Sequence, residues 1–253
     1  MATVILARHG RTTANASGVL AGRSKGVHLD ALGVEQAEAA GERLSVLPLA
    51  AVVTSPLERT RETATAIAAA QSNGMKPVTE RGLLECDYGS WTGQDLKTLA
   101  KQELWRTVQA HPSAVVFPEG ESMADMAARS ISAVRRWDAK VTEEHGPDAV
   151  WVAVSHADVI KAILADALGM HLDAFQRLVV DPASLSVVRY TPLRPFVVAM
   201  NSTAGDLSHL KPRARRSKRR KVGSDAAVGG GVGSGSAGSR AADGGTERPG
   251  SRA

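Results

Sequence analysis

The chain has 253 residues, 43% of them hydrophobic, which is enough for one substantial domain, or two small ones, with a real core. No run approaches the roughly 20 apolar residues of a membrane span, and the opening stretch Ala2 to Ala7 is too short, and too uncharged at its start, for a signal peptide; a cytoplasmic protein is expected. Cys86 is the only cysteine, which excludes an internal disulfide and a multi-cysteine zinc site and suits a reducing compartment, and the net charge of +5 is unevenly spread: residues 205–253 carry eleven Lys and Arg against four acids, so the body is mildly acidic.

Apolar and amphipathic segments alternate along the body. Ala2 to Ala7 reads as a buried strand, Ala31 to Leu44 as an amphipathic helix and Ala51 to Thr54 as a short second strand. In "SPLERTRETATAIAAA", Ser55 has the features of an N-cap, with Pro56 at the first helical position and Glu58 closing a capping box. "KPVTE" at 76–80 predicts another strand, "LLECDYGSWTG" at 83–93 a turn-rich loop, and Gln94 to Ala110 a helix. A long helix, Glu121 to Glu144, follows "FPEGES", where Ser122 and Asp125 have cap spacing. Ala149 to Val154 is an apolar strand ending at "SH", Ala157 to Leu168 a helix stopped by Gly169, and "SLSVVRY" and "PFVVAM" a closing hairpin-like pair of strands. This alternation predicts an α/β fold, a three-layer α/β/α sandwich with a mostly parallel central sheet. The domain spans 1–204. Residues 205–253, with "KPRARRSKRRK" and then Gly/Ser-rich sequence, read as a disordered solvated tail rather than as a contact for nucleic acid or another acidic partner; no aromatic residues are interleaved for base stacking, which weakens the nucleic-acid version.

Arg8 and His9 directly follow the first strand, Ser155 and His156 follow a second strand of the same character, and Arg59 sits early in a helix that follows a third. Ligands of open α/β sheets collect beyond the carboxyl ends of strands. Three segments thus deliver cationic or imidazole groups to one edge, where an anion would offset their mutual repulsion, and phosphate is the anion that guanidinium forks match best.

The motifs "RHGRT", "SPLERTRETA", "LLECDYGSWTG" and "VSHADVIKAIL", in this order over roughly residues 1–200, resemble the histidine phosphatase superfamily, which contains the cofactor-dependent phosphoglycerate mutases. That resemblance implies a three-layer fold, no cofactor and no metal, and a small phosphate ester as substrate. It implies that His9 is the nucleophile that accepts the phosphoryl group, that Arg8, Arg59 and His156 grip the phosphate oxygens with Asn15 as a neutral donor, that Glu85 is the proton donor, and that Ala21 and Gly22 line the substrate entrance. For Glu85 to work as an acid its pKa should lie above that of a free glutamate, by desolvation near Tyr88 and Trp91. Ala157 stands where family members often carry glycine. Mutase members have a longer segment between the acid loop and the second histidine, so the shorter one here favours a phosphatase acting through a phosphohistidine; a mutase, or an inactive module that holds a phosphorylated ligand, are the alternatives.

Two rival enzyme classes fit less well. A cysteine phosphatase built on Cys86 needs an arginine six positions later, where Thr92 stands, and the seven histidines show no HExxH or His-x-His spacing for a metal-dependent one. Selectivity is expected from loops around Gly22, Trp91 and Phe117, and neither the leaving group nor the oligomeric state is readable.

Overall fold

A computed structural model of the chain describes residues 1–211; the basic and Gly/Ser-rich tail lies outside the described residues but for its first few positions. In chain order the elements are β1 (Thr3–Arg8), α1 (Thr13–Ser17), α2 (Ala31–Ser45), β2 (Leu49–Thr54), α3 (Glu58–Ala69), β3 (Val78–Thr79), α4 (Leu96–Leu99), α5 (Glu103–Ala110), α6 (Met123–His145), β4 (Val150–Ser155), α7 (Ala157–Ala167), β5 (Leu185–Arg189) and β6 (Phe196–Ser202).

The strands form one six-stranded sheet in the order β3-β2-β4-β1-β5-β6. The first four of these are parallel, and the hairpin β5–β6 adds two antiparallel strands beside β1. Successive side chains of a strand point to opposite faces, and here both faces are apolar. Val4 and Leu6 of β1 join Trp151 and Ala153 of β4 in a core with α6 and α7, while Ile5 and Ala7 join Val150, Val152 and Val154 in a second core with α2 and α3. A sheet buried on both sides reads as continuous apolar runs, which is why "TVILA" and "VWVAV" lack alternation.

Several boundaries differ from the sequence expectation. The helix expected from Ser55 starts at Glu58 with Leu57 as its cap residue and no side-chain cap bond. Ser55 is not the cap because its hydroxyl is directed at His156 (2.9 Å) and its amide at Val154 O, continuing the β2–β4 ladder. The turn is closed instead by Thr60, whose hydroxyl donates to Ser55 O and Leu57 O. The expected helix 94–110 is broken into α4 and α5, because Asp95 caps a separate short turn by accepting from Lys97 N and Thr98 N. The strand expected over 76–80 is reduced to Val78–Thr79 at the sheet edge. Ser122 does cap α6, accepting from Asp125 N at 2.9 Å.

Ordered chain also continues past residue 204. Arg43 of α2 donates to Ser202 O, Ala204 O and Gly205 O, and Leu207 is buried in the core beneath α2 and α3. The folded body therefore includes residues 205–210, which the sequence reading placed in the tail. Leu207→Ala should cost about 2–4 kcal/mol, in line with truncation of a buried leucine. This loss would appear as a lowered midpoint in denaturant unfolding, and an unchanged midpoint would show that the segment is only laid on the surface.

Candidate active site

The site begins with the register of β1 and β4, which pairs Arg8 with Ser155 across the parallel ladder. The next residue of each strand is a histidine, so His9 and His156 emerge side by side at the carboxyl edge, with ring centroids 5.3 Å apart, and His9 N continues the ladder onto Ser155 O (3.1 Å). Behind His9 the chain passes very close to α2: a Cβ added at Gly10 would lie 2.3 Å from Gly33 O. Glycine is needed here for close approach rather than for an unusual dihedral. The amide of Gly10 donates to Thr63 Oγ1, which in turn donates to Arg59 O, so the turn after β1 is tied to α3.

His9 is 3% exposed. Its Nδ1 lies 2.7 Å from Gly10 O and its Nε2 accepts from Arg59 Nε at 3.3 Å. A carbonyl only accepts and a guanidinium only donates, so the ring carries its proton on Nδ1 and presents the Nε2 lone pair to the site. Burial, then the charges of Arg59 and Arg8, hold His9 well below the usual histidine pKa, and His156 is lowered by burial and Arg59 in the same way. Two arginines can crowd two imidazoles because both rings are neutral.

Arg59 is 2% exposed and reaches three groups at once. Besides His9, its Nη2 donates to Gly22 O at 2.8 Å and to His156 Nδ1 at 3.2 Å. Arg8 donates from Nη1 to Val180 O at 2.7 Å. Arg59 Nη1 and Arg8 Nε are both buried without a hydrogen-bond partner. An orphaned buried guanidinium N–H is costly, and two of them in a pocket that also holds an unprotonated imidazole nitrogen form a cradle suited to an anion.

Glu85 joins the cluster beside His156, with Oε2 3.9 Å from His156 Nδ1 and Oε1 accepting from the amide of Cys86. Burial and the nearby Asp158 carboxylate outweigh Arg59 and Arg8 and push its pKa up to about 7. Asp158 accepts from the Tyr88 hydroxyl at 2.8 Å and lies 3.7 Å from Lys161 Nζ. The desolvation expected of Glu85 is present, and the Asp158 contribution is an addition to it.

The acid loop is held by residues not singled out in the sequence. Arg129 of α6 donates to Gly82 O, Leu84 O and Glu85 O, and Arg23 donates to the same Glu85 carbonyl at 2.8 Å. Both guanidiniums share the carboxylate of Glu121. Arg23, Glu121 and Arg129 line a cleft of about 490 Å3 with Gly82 and Leu84. Burial raises the Cys86 thiol pKa, which suits packing rather than nucleophilic chemistry.

Not every expected residue joins the cluster. Gly22 contributes a backbone carbonyl to Arg59 and sits at φ +50°, and a Cβ there would meet Thr92 and Tyr88. Ala21, one residue earlier, accepts from Ser24 N in a turn. Asn15 is exposed, and its carboxamide oxygen accepts from Thr12 N and Oγ1, closing a capping box at the start of α1. Tyr88, Trp91 and Phe117 pack on one another in the core, edge to face at 5.0 and 5.3 Å. Among the described residues no three His, Cys, Asp or Glu side chains gather into a group that could hold a metal ion, and no helix is long and apolar enough to cross a membrane.

The chain is similar to known proteins in sequence and fold. The family model of the histidine phosphatase superfamily (branch 1) matches residues 4–203. The chain is 32% identical over 215 residues to a Proteus mirabilis protein named "Probable phosphoglycerate mutase GpmB", covering 83% of this chain and 95% of that one. It is 30% identical over 208 residues to phosphoserine phosphatase 1 of Hydrogenobacter thermophilus, covering 80% and 93%. Among solved structures, a mycobacterial glucosyl-3-phosphoglycerate phosphatase complexed with VO3 superposes with a TM-score of 0.71 at 26% identity, covering 79% of this chain and 98% of that one. With phosphatases and mutases alike among its relatives, the chain belongs to the histidine phosphatase superfamily, branch 1.

Proposed function

We propose that the protein is a phosphomonoesterase that hydrolyses small phosphate monoesters through a phosphohistidine on His9. The observation that carries this reading is the unprotonated Nε2 of His9, fixed by the Nδ1–Gly10 O bond and facing Arg59, in a pocket where Arg59 Nη1 and Arg8 Nε have no hydrogen-bond partner. The ester phosphate enters the cradle, and the N–H groups of Arg8 and Arg59 and the His156 ring take its oxygens. Charge on those oxygens is what phosphoryl transfer most needs stabilised. His9 Nε2 then attacks phosphorus, the P–N bond forms as the P–O ester bond breaks, and Glu85 gives its proton to the leaving oxygen. Ionised Glu85 next takes a proton from water as that water attacks the phosphohistidine, returning His9 and releasing inorganic phosphate. The VO3 complex of the mycobacterial relative supports an oxyanion site in this fold. Because relatives bear mutase names, the competing reading is phosphoryl transfer back to a second hydroxyl, which would require a bisphosphorylated primer.

Hydrolysis of p-nitrophenyl phosphate should fall by at least ~10³-fold in His9→Ala, and equal rates in the two proteins would reduce the chain to a binding module. A panel of esters including phosphoserine and 3-phosphoglycerate would rank the leaving groups.

Glu85→Gln should slow single-turnover phosphoryl transfer from an alkyl phosphate by about 10²–10⁴-fold. Transfer from p-nitrophenyl phosphate should change by less than about tenfold, since that leaving group departs without a proton. Equal losses on both esters would remove Glu85 as the acid.

The sign of the pH dependence follows from Glu85. It must be protonated to act, its pKa is pushed up to about 7, and His9 is held neutral well into acid. Transfer from an alkyl phosphate to His9 should therefore be flat well below pH 7 and decline as pH rises through it, whereas transfer from p-nitrophenyl phosphate should not show this decline. Asp158→Asn removes a charge that raises Glu85 while keeping an oxygen for the Tyr88 hydroxyl, so the decline should move to lower pH; a profile that stays in place would contradict the role assigned to Asp158.

A further inference from the structure

The His156 ring is fully buried, and each of its nitrogens has one close partner, Ser55 Oγ at Nε2 (2.9 Å) and Arg59 Nη2 at Nδ1 (3.2 Å). The guanidinium can only donate, so in this arrangement Nδ1 must be the lone pair and Nε2 must carry the proton, which it donates to Ser55. This is the wrong tautomer for the task given to His156. Nδ1 is the nitrogen that faces the cradle, on the side of Arg59 and Glu85, and a lone pair there would repel a phosphate oxygen. The conflict rests on the reading of the cradle as a phosphate site.

We propose that Ser55 is a positioning residue that lets His156 exchange tautomers on anion binding. When phosphate enters, the Arg59 N–H groups turn to its oxygens, and Nδ1 of His156 is left facing acceptors. The ring then carries its proton on Nδ1 and donates to the phosphate, and Nε2 becomes the lone pair. One proton is gained at Nδ1 and one is lost from Nε2, both exchanged with solvent, and the ring stays neutral throughout. A backbone carbonyl or a carboxylate at Nε2 would lock the first tautomer, and an N–H group would lock the second. A hydroxyl accepts in one state and donates in the other.

The local structure fits a group kept for this purpose. Ser55 is buried, and its backbone is clamped on both sides: its amide donates to Val154 O, and its carbonyl accepts from the hydroxyls of Thr54 and Thr60. Its hydroxyl bonds to no group but His156 among the described residues. It stands at the position where a helix cap was expected, yet the helix starts three residues later without a side-chain cap bond. His9 differs in this respect: its Nδ1 faces the carbonyl of Gly10, an acceptor only, which locks one tautomer as a nucleophile requires.

The test is nitrogen NMR on the whole protein with 15N-labelled histidine, free and with saturating inorganic phosphate or orthovanadate. In the free protein His156 should be protonated at Nε2 and bare at Nδ1. With the oxyanion bound it should be protonated at Nδ1 and bare at Nε2, while His9 keeps its proton on Nδ1. An Nε2 that stays protonated when the anion is bound would overturn the proposal while leaving the phosphate site intact, and a spectrum that ignores phosphate and vanadate altogether would overturn both readings. Ser55→Ala, which leaves Nε2 without a partner in either tautomer, should bind phosphate about tenfold more weakly, the equivalent of one hydrogen bond; unchanged affinity in the folded variant would remove Ser55 from the account.

Discussion

A neutral imidazole is held against a guanidinium at the centre of this molecule, and the surrounding structure is arranged so that this pairing is tolerable. Arg59 Nε donates to His9 Nε2, which is possible only while that nitrogen is bare. Protonation of His9 would place two cations in contact inside a buried pocket, and burial together with Arg59 and Arg8 prevents it. The same constraint applies to His156 from the other end of the guanidinium. Removing water makes the pocket electrostatically stiff, so an incoming dianion would meet donors already in place, with only the Arg59 N–H groups and the His156 proton shifting to its oxygens.

Support for these groups comes in two layers. The sheet sets the coarse position, since one parallel register places both histidines at the same edge. Backbone carbonyls then set the fine aim: Gly10 O orients His9, Gly22 O orients Arg59 and Val180 O orients Arg8. The acid loop has no strand of its own to rely on, and it is held from behind by Arg129 and Arg23, which converge on the Glu85 carbonyl and are themselves spaced by Glu121. The carboxyl of Glu85 is thus presented by a rigid backbone while its own protonation is governed by burial and Asp158.

Much of this was legible in the sequence because the signals are local. An apolar run that stops at "RH" or "SH" marks a strand edge, and four motifs in fixed order mark the family. The features that escaped depend on contacts far apart in the chain. Ser55 has every local property of an N-cap, and only the neighbouring strand, which brings His156 to it, diverts its hydroxyl. Arg129 looks like any charged residue on an amphipathic helix until the acid loop folds over it. Leu207 lies in a stretch whose composition reads as tail, and one buried leucine with an arginine clamp keeps it on the body.

The central claim is that the bare nitrogen of His9 becomes phosphorylated. It is tested most directly by mixing the enzyme with a 32P-labelled phosphate monoester, quenching within the first turnover in alkali, where phosphohistidine survives, and mapping the label. The account predicts acid-labile label on the peptide containing His9, absent in His9→Ala and retained in His156→Ala if that variant still turns over. Turnover with no label on His9 at any quench time would contradict it.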